Sequence, residues 1–584
     1  MTYKKNGKEM TWAKRLTFRN SKSLIPAALV DFASMFNLKV HKEIMAYKIY
    51  TKANRQKGFV TVKEFFDQYC EENKDLKSAE DLAKDQEQIK RNAELAKALK
   101  GDELDLMKYA YFYCMKDCVV LMEGMDKFNN DLNEVFKETK KEFLGIHQFI
   151  SISALGYDFA RIYGCFNGCY KLSGKPQNFI QRCVNGGRTM TANNQKQYVE
   201  GRIQDFDAVS LYPSAMSIMD GVPKGIPKIV PNGISKDELM AYDTFFVEVN
   251  ITELKPKSTV PYAFGQVFKL SNAGSKLFGN EPVNNYLLDK IALLDLIEFY
   301  EIKYEVIRGL YFNEGFNKRI NQFVTKLFNL RLKYKKMKNP LEKTIKLLLN
   351  SIYGKSILKP MVDEVKLVKR DKLTSYIYRN YNFIKEVTIE NGISKAYVKK
   401  IKPINKHFNL PQFGASVLSW SKHIMNSVVS TAEQNDIAIY YTDTDSIHMK
   451  ESDIDKLSKM YKEKYGKDLI GSNMTQFHCD FDSFSGAVGE IHSRKLIALG
   501  KKSYLDILVD EKGNEDYHVR MKGVPKQCII NKAKRMGITI EKLYERMYEG
   551  EKIEFDLKDG MNCFKKTKTF QQITLPQFIR KVKF

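Results

Sequence analysis

Two acidic strings lie far apart in the chain, Asp207-Ala208-Val209-Ser210-Leu211-Tyr212-Pro213-Ser214 and Tyr441-Thr442-Asp443-Thr444-Asp445-Ser446, and both carry the residue types that hold hard cations. The first follows Ile203-Gln204-Asp205-Phe206, whose alternation reads as a strand; the second follows the apolar Ile437-Ala438-Ile439-Tyr440 and precedes Ile447-His448-Met449, a hairpin with carboxylates at its tip. Mg²⁺ binds carboxylate oxygen, keeps several waters and leaves positions open for phosphates. Two such ions clamp the attacking and leaving oxygens of an in-line displacement at phosphorus. The chemistry indicated is phosphoryl transfer, with Asp207 and Asp445 as ligands of two Mg²⁺ ions, Mn²⁺ being the alternative, and Asp443 as a third acid converging on them. Asp205 points to the same face as Asp207, so the choice between them is not free of ambiguity. Asp207 is favoured because Ser210-Leu211-Tyr212-Pro213 then makes a tight turn whose amides face a triphosphate, with Tyr212 under the sugar, blocking a 2′-hydroxyl.

These acids need partners that grip phosphates, and several segments offer them. A helix is expected over 339–353, with Asn339 as cap, Pro340 in the first turn, Glu342 reaching back and Gly354 ending it. Lys346, Asn350 and Tyr353 share one face at i, i+4 and i+7, while Leu347, Leu348 and Leu349 mark the opposite face as buried. Such a stripe suits a nucleoside triphosphate, with Lys346 on the phosphates and Tyr353 against the nascent base pair. Arg331 and Lys335, on the preceding basic helix, would close on the same phosphates. In Val184-Asn185-Gly186-Gly187-Arg188, Gly186 and Gly187 permit close backbone approach and Arg188 offers a forked phosphate donor, although a plain turn fits as well. Lys502 and Tyr504 alternate onto one strand face, where they would grip a primer phosphate. Lys522, in a basic C-terminal region, suits backbone contact to a duplex. Tyr113 and Asp117 stand one helical turn apart.

At 584 residues with 43% hydrophobic content, the chain has material for about four structural units. Its net charge of +25 favours a polyanionic partner bound with strong salt dependence, and the 12% aromatic content suits base and sugar stacking. No apolar run approaches the roughly 18 residues of a membrane span and the N-terminus lacks a signal-peptide core, so a soluble, cytoplasmic, non-secreted protein without a membrane partner is expected. The nine cysteines include no CxxC pair; Cys114/Cys118 and Cys165/Cys169 are spaced by four without a completing His, so free thiols are expected rather than zinc. A charged run over 71–100 reads as an exposed helix. Turn-rich stretches over 221–323 and 360–411 read as insertions, the second with a hairpin turn at Asn391-Gly392.

Taken together the strings resemble the family B DNA polymerases, most closely the protein-primed branch of small bacteriophages, adenoviruses and linear plasmids. D-x-x-S-L-Y-P is met by 207–213, K-x-x-x-N-S-x-Y-G by 346–354, Y-x-D-T-D-S by 441–446 and K-x-Y by 502–504. The resemblance implies an α+β multidomain right-hand polymerase behind a partial ribonuclease H-like exonuclease domain. The implied divisions are an exonuclease-like part at 1–145, palm at 146–219 and 413–515, a terminal-protein-contacting insertion at 220–325, fingers at 326–358, a hairpin-rich insertion associated with strand displacement at 359–412, and thumb at 516–584. It implies Asp207 and Asp445 as metal ligands, Asp443 as a supporting carboxylate and Tyr212 as the sugar gate. Primer-template DNA, dNTPs and a terminal priming protein are the implied partners, and the implied reaction is dNTP addition to a primer 3′-hydroxyl.

Three departures accompany it. The template-strand motif T-x-x-[GA]-R appears as Leu418-Ser419-Trp420-Ser421-Lys422, leaving only Trp420 and Lys422; the aromatic-x-G-G motif has Val184 in place of the aromatic. Tyr113 and Asp117 resemble the third exonuclease motif, 16–38 resembles the middle of that domain, and neither D-x-E on a strand nor N-x-x-[FY]-D precedes them. Proofreading is therefore expected to be absent, with either a separate polypeptide supplying the missing exonuclease part or a start assigned too late. The rival readings are a catalytically inactive, polymerase-derived DNA-binding replication factor and a ribonucleotide polymerase, which Tyr212 disfavours.

Overall fold

The computed structural model describes residues 2–5, 8–11, 19–73, 77–136, 145–272, 274–339, 341–359, 363–389, 392, 394–401, 408–481, 483–557, 564–566, 572–574 and 579–584. Its contacts divide the chain into two units, 1–163 with 326–352, and 164–325 with 353–584.

In the first unit the helix Leu106–Phe136 buries Tyr109, Tyr113 and Val120. Around it lie the helices Val62–Asn73 and Ala79–Leu95 and an antiparallel sheet of Phe59–Thr61, Glu103–Asp105 and Leu99–Lys100. Phe65 meets Tyr109 edge-on at 4.9 Å between ring centroids. The run expected as one exposed helix over 71–100 is instead the end of the helix Val62–Asn73 and a second helix, Ala79–Leu95, capped by Ser78, whose Oγ accepts the Asp81 N–H at 3.2 Å. Ile89 and Ala93, one turn apart, are fully buried, so a few apolar residues on one face suffice to dock a charged helix.

The helix Leu341–Ser351 also belongs to this unit and packs on Ile152–Tyr163. Gly156 allows that approach: a Cβ there would stand 3.3 Å from backbone atoms of Leu348, Ser351 and Ile352. The helix stops short of Tyr353, which lies in the following turn with Gly354. Pro340 falls outside the described residues, and Glu342 accepts from Arg331 Nε at 3.0 Å.

The second unit is organised by an eight-stranded antiparallel sheet. Across it run Glu515–Met521, Ser503–Val509, His492–Gly500, Gln197–Ala208, Ser446–Lys450, Ile439–Asp443 and Thr189–Thr191, with Phe477–Cys479 also pairing along Gln197–Ala208. Alternation decides which side each residue takes: Gln204, Phe206 and Ala208 are buried on one face, leaving Asp205 and Asp207 on the other. Phe206 stacks on Phe477 with centroids 5.4 Å apart. The helices Leu211–Ile218 and Pro411–Gln434 pack against one another.

The first insertion has its own core of Leu239, Phe245, Val247, Val249, Leu293 and Phe299 beneath a four-stranded sheet, so it is a subdomain. At its neck Val222–Pro223 pairs with Phe316–Asn317, and the Asn317 amide donates to the carbonyls of Gly164 and Asn167, both at 2.9 Å. The second insertion is an antiparallel sheet of Asp363–Lys369, Lys395–Ile401 and Ile384–Thr388 around Val368, Ala396 and Val398. Its expected hairpin joins the last two strands, while Asn391 itself lies outside the described residues. The helices Lys526–Met536 and Ile540–Tyr548 share a core with Leu505, Ile507 and Val519. The expected division at 515 thus falls at the start of a strand that completes the sheet. Among the described residues the cysteines are free, and no helix is long and apolar enough to cross a membrane.

Because Phe206 is 1% exposed in the centre of this sheet, Phe206→Ala should cost about 3–5 kcal/mol. Guanidinium unfolding checks this; an unchanged midpoint would mean the ring is not part of the core.

Candidate active site

The strand Gln197–Ala208 ends in Asp207, and the chain then turns through Ser210 in the left-handed region (φ 50°) into the helix Leu211–Ile218. The turn expected at Ser210, Leu211, Tyr212 and Pro213 is therefore a helix start, with Ser210 as its N-cap residue. In the hairpin, Asp443 pairs with Ser446, so Thr444 and Asp445 form a two-residue turn, and Ser446 pairs with Asp207 on the neighbouring strand. The Ala208 N–H donates to the Asp445 carbonyl at 2.8 Å. Two carboxylates far apart in sequence are thereby placed side by side.

Thr444 has φ 69°, a costly conformation for a β-branched residue. Its N–H donates to the Arg188 carbonyl at 2.8 Å, and a Cβ on Gly187 would stand 2.8 Å from its Cγ2. The bare Cα of Gly187 thus lets the turn of Thr444 and Asp445 sit close, whereas a Cβ on Gly186 would meet nothing within 4 Å.

The electrostatics follow from this crowding. Burial, then the neighbouring Asp445, Asp205 and Asp480, push Asp207 up to about 8. Burial, with Asp443 and Asp205, raises Asp445 to about 6. Two hard anionic groups that resist ionising side by side suit a divalent cation, which relieves the repulsion. Among the described residues no three His, Cys, Asp or Glu side chains converge closely enough to hold an ion alone. The pair therefore fits Mg²⁺ whose remaining positions go to water and phosphate.

Asp443 lies near enough to raise Asp445, while its own hydrogen bonds go to other groups. It accepts from Lys502 Nζ at 2.9 and 3.1 Å, from Thr189 Oγ1 at 3.0 Å and from the Tyr441 hydroxyl at 3.3 Å. Lys502 occupies a left-handed turn position (φ 54°) ahead of the strand Ser503–Val509, so it does not share a strand face with Tyr504. Tyr504 is 7% exposed and packs against Tyr441, His448 and His518.

Sequence reasoning missed the ion cluster beneath the acids. His448, 1% exposed, has Nε2 3.1 Å from Asp506 and Nδ1 3.5 Å from Asp205. Burial opposes the imidazolium, but Asp205 and Asp506 outweigh it and raise its pKa to about 9. Asp205 thus lies within ion-pair distance of His448, which favours Asp207 of the two strand acids as the group open to a cation. The available signal was parity: His448 pairs with Asp205 across the strands as Ser446 does with Asp207.

The remaining candidates distribute as follows. The Tyr212 ring lies 4.4 Å from that of Tyr353, tilted 34°, so both aromatics reach one place although Tyr353 is not helical; Leu211 is buried. In the first unit Lys346, Asn350 and Lys335 are exposed, and Arg331 is paired with Glu342. Arg188 is not a free phosphate donor: it is 8% exposed and donates to the carbonyls of Phe264 at 2.7 Å and Gly265 at 3.2 Å. Trp420 and Lys422 are half-buried on the helix Pro411–Gln434, and burial lowers Lys422 while Asp289 and Asp295 oppose the shift. Lys522 is exposed. Tyr113 and Asp117 do meet, through Lys42: its Nζ donates to Tyr113 Oη and, at 2.9 Å, to Asp117.

A carboxyl whose folded pKa, here about 8, exceeds its unfolded value of about 4 binds its proton more tightly in the folded state. Its contribution is full below the unfolded value and is lost as pH rises through the folded one. In chelator, the wild type should lose melting temperature relative to Asp207→Asn as pH rises from about 4 to about 8. Parallel curves would refute the assignment.

A model of the family DNA polymerase type B, organellar and viral, matches residues 1–435. The DNA polymerase of Kluyveromyces lactis is 24% identical over 523 residues, covering 84% of this chain and 48% of that protein. The probable DNA polymerase of Neurospora intermedia is 23% identical over 89% of this chain and 49% of its own length. The DNA polymerase of Bacillus phage Nf is 26% identical over half of this chain. The chain thus spans about half the length of the curated relatives it matches. Its fold is similar to that of Phi29 DNA polymerase complexed with primer-template DNA, with TM-score 0.56 and 16% identity over 97% of this chain and 79% of that one. The chain belongs to the type B DNA polymerases of the organellar and viral kind.

Proposed function

We propose that this chain is a DNA-directed DNA polymerase that adds dNTPs to a primer 3′-hydroxyl, with the eight-stranded sheet as its palm. The observation that carries the reading is the adjacency of Asp207 and Asp445, each pushed toward protonation by burial and by its acidic neighbours. Mg²⁺ held by these two carboxylates would supply charge neutralisation for the phosphates and a lowered pKa for the attacking hydroxyl. The chain's own groups do the positioning, which is most of catalysis in phosphoryl transfer. Amides at the start of the helix Leu211–Ile218 face the triphosphate, aided by the helix dipole. Tyr212, stacked on Tyr353, lies under the sugar and leaves no room for a 2′-hydroxyl, while Tyr353 abuts the nascent base pair. Lys502 holds Asp443 and is placed to exchange that carboxylate for a primer phosphate.

For Lys346, Asn350, Arg331 and Lys335 a role on the triphosphate rests on the family resemblance, and Arg331 would have to leave Glu342 to take it up. The same resemblance makes a terminal protein the priming partner, contacted through the insertion at 220–325, and favours replication of a viral or plasmid genome.

Asp207→Ala or Asp445→Ala should abolish extension of a primer-template, a loss of at least about a thousandfold, while duplex binding persists. Near-normal extension by both variants would refute the assignment, and a wild type that binds duplex without extending it would make the chain an inactive DNA-binding factor. Tyr212→Val should raise ribonucleotide incorporation relative to deoxynucleotide; unchanged discrimination in single-nucleotide extension would remove the sugar-gate role.

A further inference from the structure

A cluster of lysines lies one loop away from the catalytic turn. Lys276, at the start of the inserted strand Lys276–Gly279, donates from Nζ to Asn185 Oδ1 at 2.6 Å and stands 4.4 Å from the Phe268 ring centroid. Lys501 Nζ donates to the Lys276 backbone carbonyl and stands 5.9 Å from the Phe278 ring. These oxygens are neutral, and among the described residues neither ammonium forms a salt bridge, unlike Lys502, whose charge Asp443 answers. Asn185 adjoins Gly186, whose backbone is unobstructed, and Gly187, which seats Thr444 beside Asp445.

Such crowding of like charge is unfavourable in the free protein. Burial, then Lys422 and Lys501, lower Lys276 to about 8, and burial with Lys522 lowers Lys501. Half-buried cations are tolerated when an anion completes them. The aromatic rings hold both ammonium groups in place, so little side-chain entropy is lost when the anion arrives. A net charge of +25 makes that anion part of a polyanion.

We propose that Lys276 and Lys501, beside Asn185, hold one backbone phosphodiester of the bound DNA duplex and so fix its position relative to Asp207 and Asp445. The inference rests on the polymerase reading above. It adds a contact made by the inserted hairpin Val267–Leu270 and Lys276–Gly279, which Lys501 fastens to the turn at the end of the catalytic sheet.

The test is equilibrium binding of a fluorescent primer-template by the full chain over a range of KCl concentrations. Lys276→Met and Lys501→Met should each flatten the slope of log K against log salt by about one unit, the value of one lost phosphate contact. Lys276→Arg, which keeps the charge, should keep the wild-type slope. Single methylphosphonates placed along either strand then locate the phosphate: at one position the neutral linkage should weaken the wild type and leave Lys276→Met unaffected. Circular dichroism confirms folding, and if Lys276→Met fails to fold, Lys501→Met takes its place in the scan. Wild-type binding and extension with unchanged slopes in the Met variants, or no position at which the penalty disappears, would overturn this inference alone, and would leave a protein carboxylate as the occupant. A wild type that binds no duplex would overturn both readings.

Discussion

Everything at the centre of this protein depends on the antiparallel register between Gln197–Ala208 and Ser446–Lys450. Side chains alternate along a strand, so a slip of one residue would turn Asp207 into the core and Phe206 out of it. The buried Phe206, with Ile447 and Met449 on the neighbouring strand, makes that slip prohibitively unfavourable. The acids are therefore positioned by the apolar residues between them. Loop closure becomes only slowly more costly with length, so long excursions between the two strands are compatible with a fixed register.

Within that frame charge is sorted rather than merely accumulated. Asp443 is answered by Lys502, and Asp205 and Asp506 by the buried His448. Asp207 and Asp445 are left next to each other, each raised toward protonation by burial and then by acidic neighbours, Asp445 among those of Asp207 and Asp443 among those of Asp445. Crowded, half-buried carboxylates of this kind would be relieved by a cation, which is the reading proposed above.

How far the sequence was legible depended on whether a residue's role is set by near neighbours. Alternation marked the two acidic strand ends and the hairpin; Pro and Gly marked the stretch over 221–323, and β-branched residues alternating with charges marked that over 360–411, and each contains a cluster of buried apolar residues. The helix after Asn339 was legible in its buried leucines and illegible at its end, because Tyr353 is held by the ring of Tyr212 from another segment. Arg188 was misread for a similar reason: nothing near it in sequence says that the carbonyls of Phe264 and Gly265 will take its guanidinium. Asp443 and Asp445 looked alike until the turn between them separated a carboxylate facing Lys502 from one facing Asp207. His448 was missed because the parity that sets it opposite Asp205 shows only once the two strands are paired, and Asp506 arrives from a third strand.

The short ladder of Val222–Pro223 with Phe316–Asn317, clasped by the Asn317 amide, closes the base of the first insertion. What lies beyond that clasp is moored to the acid-bearing hairpin a second time, because Arg188 takes the Thr444 N–H on its carbonyl and gives its guanidinium to the carbonyls of Phe264 and Gly265. A change in the shape of the insertion would therefore reach the turn that carries Asp445.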